Sequence, residues 1–241
     1  MAELLAPRSI EEALQALQPE GSVALGGGTR VVMLLKTGLL EPQRLVWLGR
    51  IDELTRIETL ADGRLRIGAG VTLDRLATLP LLAGAAAHIG NPRVRAVATL
   101  GGHLAHADPR QDLPPLLIAL GAFVVTDRRR LPVEELFTGF MTTALGEGEL
   151  ITHVEIPPTS ARAGYVRFTP GSASDYPTVG VAATIDGRLA LGAGASRPKL
   201  IPWPGLQNAP AAVADAADAN DYVREMAALF TRRLLRELLA A

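Results

Sequence analysis

Two glycine-rich stretches carry the residues of this 241-residue chain that are best placed to do chemistry. The first, VALGGGTRVVMLLK at residues 23–36, sets Gly26, Gly27 and Gly28 after a β-branched run and before an apolar run, with Thr29, Arg30 and Val31 following directly. A strand feeding a glycine turn and then a helix start gathers free backbone N–H groups and the helix dipole at one point, which is how a main chain binds phosphate. Taken alone, this loop reads first as a tight turn needing positive φ, because it lacks both the glycine spacing of a Rossmann fingerprint and the Lys-Ser/Thr of a Walker loop. The second stretch, TLGGHLAHADPRQD, carries Thr99, Leu100, Gly101, Gly102 and His103. It is expected to run as a loop buried against something polar. Two such loops aimed at one ligand suit a dinucleotide, with its two phosphates and two ring systems.

Other chemistries are less well provided for. His103, His106 and Asp108 offer metal donors on paper, but a loop histidine more often serves as a simple hydrogen-bonding residue, and no metal is expected. The chain has 4 histidines and no motif that pairs one with a nucleophile, so no catalytic residue is nominated. With no cysteine, thiolate zinc sites, thiol nucleophiles and cysteine-ligated iron–sulfur clusters are all excluded. Any redox chemistry therefore needs a bound organic cofactor or another subunit. A formal net charge of -1 gives no electrostatic footprint for nucleic acid. The N-terminal MAELLAPRSI does not read as a secretory signal, and LPPLLIALGAFVV is too short and too proline-broken to span a bilayer, so a cytoplasmic protein is expected.

The elements that must position these residues alternate between strand and helix. Ser9 and Glu12 frame a capped amphipathic helix in SIEEALQAL. Strands are expected at 22–25, in RLVWLG and in RLRIGAG, with a short helix from about Val31 and Thr72 capping LDRLATL. FVVTD and ELITHVEIPP read as further strands, the latter ending where Pro157 and Pro158 forbid ladder pairing. The main boundary is placed there. DRRR, Asp127 to Arg130, reads as a solvated hairpin turn. Beyond the boundary come GYVRFTP, a hairpin at Asp186-Gly187 in TVGVAATIDGRLALGAGA, and an Ala-rich linker in APAAVADAADAN. A last amphipathic helix is expected to bury Tyr222, Met226, Leu229, Phe230 and Leu234.

GGGTRVVMLLK resembles the AGGTDLL..MK loop, and TLGGHLAHADPRQDLPPLLIALGA resembles the TIGGNLAHADP..D.P..L.AL.A segment, of the FAD-binding medium subunits of molybdenum hydroxylases such as carbon monoxide dehydrogenase and xanthine dehydrogenase. The likeness continues through ELITHVEIP, RFTPGSASDYPTVGVAA and REMAALFTRRLLREL. It implies an α+β, PCMH-type (vanillyl-alcohol-oxidase-like) FAD-binding fold of two α+β subdomains at about 1–55 and 56–160, then a small C-terminal α+β domain at 161–241. In such proteins the first loop holds the FAD pyrophosphate, which by position gives Gly26, Gly27, Gly28, Thr29, Arg30 and Val31. The second loop supplies Thr99, Leu100, Gly101, Gly102 and His103. Asp112 would contact the adenosine part, Leu150 or Ile151 would lie near the ring system, and Arg167 stands where the family often has a lysine near the flavin.

The sequence departs from the family pattern at Arg30, at His103 and before Asp175. An arginine adds charge-assisted bonds to a phosphate, whereas a single imidazole does not reproduce the donor and acceptor of an amide. The resemblance further implies an electron-transfer role beside a molybdopterin-binding large subunit and a [2Fe-2S] small subunit, with NAD, a quinone or oxygen as external acceptor. Two alternatives remain at this stage: a scaffold subunit that has lost tight FAD binding, and a free-standing oxidase of the related fold.

Overall fold

A computed structural model describes residues 2–159, 162–172 and 175–240. The chain opens with β1 (Glu3–Leu5), α1 (Ile10–Leu17), β2 (Ser22–Leu25), α2 (Val31–Lys36) and β3 (Arg44–Trp47). Helical crossovers let the strands run parallel, and they form a sheet ordered β1-β3-β2. The Ser9 side chain accepts the Glu12 N–H while the Glu12 carboxylate accepts the Arg8 N–H at 2.8 Å, so α1 is fixed at its start by a reciprocal cap. In contrast, α2 has no side-chain cap and buries none of its residues.

A second sheet then forms around β4 (Ile57–Thr59) and β5 (Leu65–Gly68). The chain leaves it through the short helices α3 (Leu73–Leu76), α4 (Pro80–Ala86), α5 (Pro92–Arg95), α6 (Leu100–His106) and α7 (Leu113–Ala119). It returns as β6 (Phe123–Thr126), β7 (Arg130–Pro132), α8 (Val133–Leu136), a small ribbon of β8 (Phe137–Gly139) and β9 (Thr142–Thr143), and finally β10 (Ile151–Ile156). The order is β4-β5-β10-β6-β7, antiparallel throughout. Within 99–119, expected as a loop, the chain is mostly helical. Thr99 caps α6, and Pro114 and Pro115 fall in the first turn of α7, where a missing N–H costs nothing.

The third sheet, β11 (Ala163–Phe168), β12 (Val179–Thr184), β13 (Leu189–Leu191) and β14 (Lys199–Ile201), is antiparallel and in sequential order. Every residue of β12 is buried, and the period-2 alternation explains how. Ala182 and Ala190 join the core that contains α7, whereas Val179, Val181, Leu189 and Leu191 join a second core with α9 (Ala209–Ala216) and α10 (Asp221–Ala240). The Ala-rich stretch expected to be a linker is thus α9, held by buried Ala209 and Val213. In α10 the buried stripe is Ala227, Ala228, Thr231, Leu234, Leu235 and Leu238, while Tyr222 and Leu229 are exposed. Small residues set the close approach of this helix, so its packed face is rotated from the one that the larger side chains mark.

One charged latch closes the second sheet. The Glu149 carboxylate accepts from Thr126 Oγ1 (2.8 Å), Arg129 Nε (2.9 Å) and the Gly146 N–H (2.8 Å). Its bond with Arg129 holds its pKa down at about 2. Because that value lies below the usual 4.5, the stabilisation is complete above pH 4.5 and is lost as pH falls toward about 2. Glu149→Gln should cost about 2 kcal/mol at neutral pH. In urea denaturation the gap from wild type should close across that acid window; a pH-independent gap would show that the charge is not the cause.

Candidate functional site

The first glycine loop leaves β2 at Leu25 and reaches α2 within a few residues. Gly28 has φ +74°, which accounts for one glycine. Gly27 is needed for a different reason: a Cβ there would lie 1.8 Å from the Val97 carbonyl oxygen and 2.8 Å from Ala98 Cα. Its bare face touches the backbone of the second segment, not open cavity. Among the described residues, the N–H groups of Gly27, Gly28, Thr29, Arg30 and Val31 donate to no protein acceptor. A row of free amides at a helix start is the arrangement that receives phosphate oxygens.

The second segment uses its amides differently. Leu100 N–H donates to Val71 O (2.9 Å), Gly101 N–H to Ala69 O (2.8 Å), Gly102 N–H to Thr99 Oγ1 (3.3 Å) and His103 N–H to Thr99 O (2.8 Å). These bonds pin the start of α6 against residues 69–71. Leu100 has its side chain in the core and is not part of the lining of the two cavities that flank this segment. The pairing of the two stretches is therefore unequal, the first offering donors and the second forming a wall.

Gly26, Gly27, Thr99 and Gly102 lie between two adjoining cavities of about 440 and 460 Å³ and line both. The first cavity continues over Thr29, Arg30, Val31, His88, His103, Gln111, Asp112 and Tyr176. The second runs over Trp47, Gly70, Val97, Gly101, Leu150 and Ile151. Sequence reading missed His88, Gln111, Trp47, Gly70 and Tyr176. The close glycines of GAG at 68–70 are the one local signal of a tight approach, since a Cβ on Gly70 would sit 3.0 Å from Leu54 O.

Asp112, 3% exposed, accepts from Tyr165 Oη at 2.7 Å and lies 3.4 Å from the Arg167 guanidinium. Burial raises its pKa, and the Arg167 charge opposes that rise. Burial also pushes the Tyr165 hydroxyl well above its ordinary value. Arg167 donates to His88 O at 3.0 Å and to Asp175 O. Asp112, expected at the adenosine part, and Arg167, expected near the flavin, are thus direct neighbours beside the first cavity. Leu150 and Ile151 belong to the other cavity. Tyr165, which carries no motif, was not legible as part of the site.

The ring of His103 is buried, which together with nearby His106 drives its pKa down to about 3. His106 is also lowered, by burial and then by the Arg30 charge. The Arg30 carbonyl accepts the Leu34 N–H inside α2 (3.1 Å), but its guanidinium makes no hydrogen bond or ion pair among the described residues. Asp108 is committed to Arg110, at 2.8 Å, and Arg110 in turn stacks over Tyr176, 4.4 Å from the ring centroid. The departure before Asp175 falls on residues 173 and 174, outside the described residues.

Residues 1–159 match the family described as FAD binding domain in molybdopterin dehydrogenase. The nicotine 6-hydroxylase medium subunit of Paenarthrobacter nicotinovorans is 33% identical over 216 residues, 81% of this chain and 76% of its own length. The carbon monoxide dehydrogenase medium chain of Hydrogenophaga pseudoflava is 34% identical over 175 residues, 68% of this chain and 61% of its own. In structure, the chain is similar to carbon monoxide dehydrogenase from Hydrogenophaga pseudoflava, with a TM-score of 0.88 at 27% identity, covering 99% of this chain and 97% of that one. Quinoline 2-oxidoreductase from Pseudomonas putida 86 gives 0.87 at 27% identity, covering 100% and 97%. The overall α+β architecture is the one these solved structures share, and the chain belongs to the family of FAD-binding domains in molybdopterin dehydrogenases.

Proposed function

We propose that this protein is the electron-transferring FAD subunit of a molybdenum hydroxylase, taking electrons from a [2Fe-2S] subunit and delivering them to an external acceptor. A molybdopterin-binding large subunit completes the complex in this reading. The observation that carries it is the row of N–H groups from Gly27 to Val31, unpartnered among the described residues, which starts at the wall shared by the two cavities and continues along the first. A dinucleotide is a molecule with two ring systems joined by a pyrophosphate, and the space is divided in the same way.

FAD, when bound, supplies the one- and two-electron redox chemistry, and the protein supplies binding, orientation and control of solvent. The first loop would hold the pyrophosphate, with the unpaired Arg30 adding charge-assisted bonds. The isoalloxazine has a polar pyrimidine edge, so we assign it to the first cavity, where His103, Gln111, Asp112 and the Arg167 pair stand. Adenine then takes the second cavity, with Trp47, Leu150 and Ile151 as its apolar lining. Residues 1–160, with subdomains at about 1–55 and 56–160, would form the FAD-binding unit. Residues 161–241 would close it through Tyr165 and Arg167.

The purified chain, incubated with FAD and freed of excess, should show the visible absorption of bound flavin. Reduction of that flavin should require the iron–sulfur subunit and not the hydroxylase substrate alone. A preparation that takes up no FAD, alone or with its partner subunits, would sink this reading in favour of a scaffold subunit.

A further inference from the structure

His103 and Gln111 both line the first cavity, and each keeps one polar atom closed off from solvent with no partner among the described residues: His103 Nε2 and Gln111 Oε1. Folded proteins satisfy nearly all such atoms, because a buried donor or acceptor left alone has lost its hydration without compensation. The two residues are also bonded to each other. Gln111 Nε2 donates to His103 O at 2.7 Å and lies 3.3 Å from His103 Nδ1. The first of these contacts fixes which way the amide points, because the reverse orientation would set two acceptor oxygens against one another. With the NH2 group held there, Nδ1 faces a donor and must accept. The ring proton is then on Nε2.

We propose that Gln111 is a positioning residue that locks His103 in the Nε2–H tautomer, and that His103 Nε2–H and Gln111 Oε1 together present a donor and an acceptor to bound FAD. This rests on the flavin reading of the first cavity. A lone imidazole in one tautomer offers a donor at one nitrogen and an acceptor at the other, on opposite sides of the ring. Pairing it with a glutamine changes that: Nδ1 is consumed internally, and the amide oxygen supplies the acceptor. Because burial keeps the ring uncharged down to a pH of about 3, the donor stays the same through the neutral range. Gln111 carries this assignment by geometry alone, since it sits in the segment between α6 and α7 with no motif of its own.

The test reads the tautomer directly. Long-range 1H–15N correlation spectra of the histidine-labelled full chain, without FAD, should show His103 Nδ1 as a bare acceptor nitrogen and Nε2 protonated. Added FAD should shift the Nε2–H signal. Gln111→Leu should release the lock, giving mixed or Nδ1–H tautomer, and should weaken FAD binding about tenfold, the worth of one good hydrogen bond. His103→Phe, which keeps ring volume, should weaken it similarly. An Nδ1–H tautomer in the wild-type chain would overturn the lock, and that spectrum needs no variant to fold. FAD affinity unchanged in both variants, with the Nε2–H signal unmoved by FAD, would overturn the pair's role while leaving the flavoprotein reading intact. A wild-type chain that takes up no FAD at all overturns that reading itself, and the pair's role with it.

Discussion

Gly27→Ala is expected to abolish measurable FAD binding, with a loss of at least a hundredfold in affinity. The added Cβ would lie 1.8 Å from Val97 O, 2.5 Å from Val97 C and 2.8 Å from Ala98 Cα. A carbon–oxygen contact needs about 3.3 Å, so the two segments would have to part by more than an ångström. Neither can yield by rotating a side chain, because all three atoms are backbone. Both are also anchored: β2 is laddered to β3, and the facing segment is tied by Leu73 N–H to Ala98 O (2.9 Å) and by Leu100 N–H to Val71 O (2.9 Å). The stability cost should lie near the top of the overpacking range, about 3 kcal/mol. Gly28→Ala is the control. It is strained by φ +74° but meets only side-chain tips, Val32 Cγ2 at 3.2 Å and Leu25 Cδ1 at 3.5 Å, and should cost about 1–2 kcal/mol. Thermal melts and titration of flavin fluorescence read both quantities. A Gly27→Ala chain that binds FAD as wild type does would show that the two segments need not touch.

Arg167→Met is expected to have the next largest effect. It removes the cation beside a carboxylate that is 3% exposed, leaving Asp112 with Tyr165 as its remaining side-chain partner. Breaking a buried pair from one side costs about 3–5 kcal/mol, because the other charge is stranded. The pH dependence has a definite sign. Burial already raises the Asp112 pKa above 3.8 in the folded chain, and loss of the opposing Arg167 charge raises it further. The folded state then holds a proton over a range where the unfolded chain has released it, so stability falls as pH rises through that range. The variant should accordingly be most destabilised near neutrality and recover relative to wild type as pH is lowered toward 4. Denaturant titrations at several pH values test this. A deficit that grows on acidification would mean that Asp112 is not the stranded group.

Much of the fold was legible where local chemistry and tertiary packing agree. Ser9 and Thr72 sit at caps because a side-chain oxygen there satisfies an otherwise orphaned amide, and Asp186-Gly187 turns a hairpin with Gly187 at φ +96°. The misreadings have a common cause. Pro114, Pro115 and the Ala-rich 209–216 segment look like breakers or linkers in isolation, yet they are helical because of where they fall in the first turn and what they bury. In α10, Leu234 is buried as expected, but Tyr222 and Leu229 are exposed because the packed face is centred on Ala227, Thr231 and Leu235. At the site, the glycines were readable as close-approach positions, but not what approaches. Gly27 meets Val97, which only the folded chain brings near. Likewise His103 alone seemed a poor substitute for an amide, because Gln111, eight residues on, becomes its partner only through the turn between α6 and α7.

The third sheet has a consequence for how this protein can change over generations. β11 delivers Tyr165 and Arg167 to Asp112 at the start of α7, so the lining of the first cavity is tied to the third sheet by a charged contact. Positions 112, 165 and 167 are therefore one unit of inheritance. A recombinant that takes its glycine loops from this chain and its C-terminal sheet from a relative will keep a working pocket only when the incoming strand brings a cation and a hydroxyl to the same carboxylate.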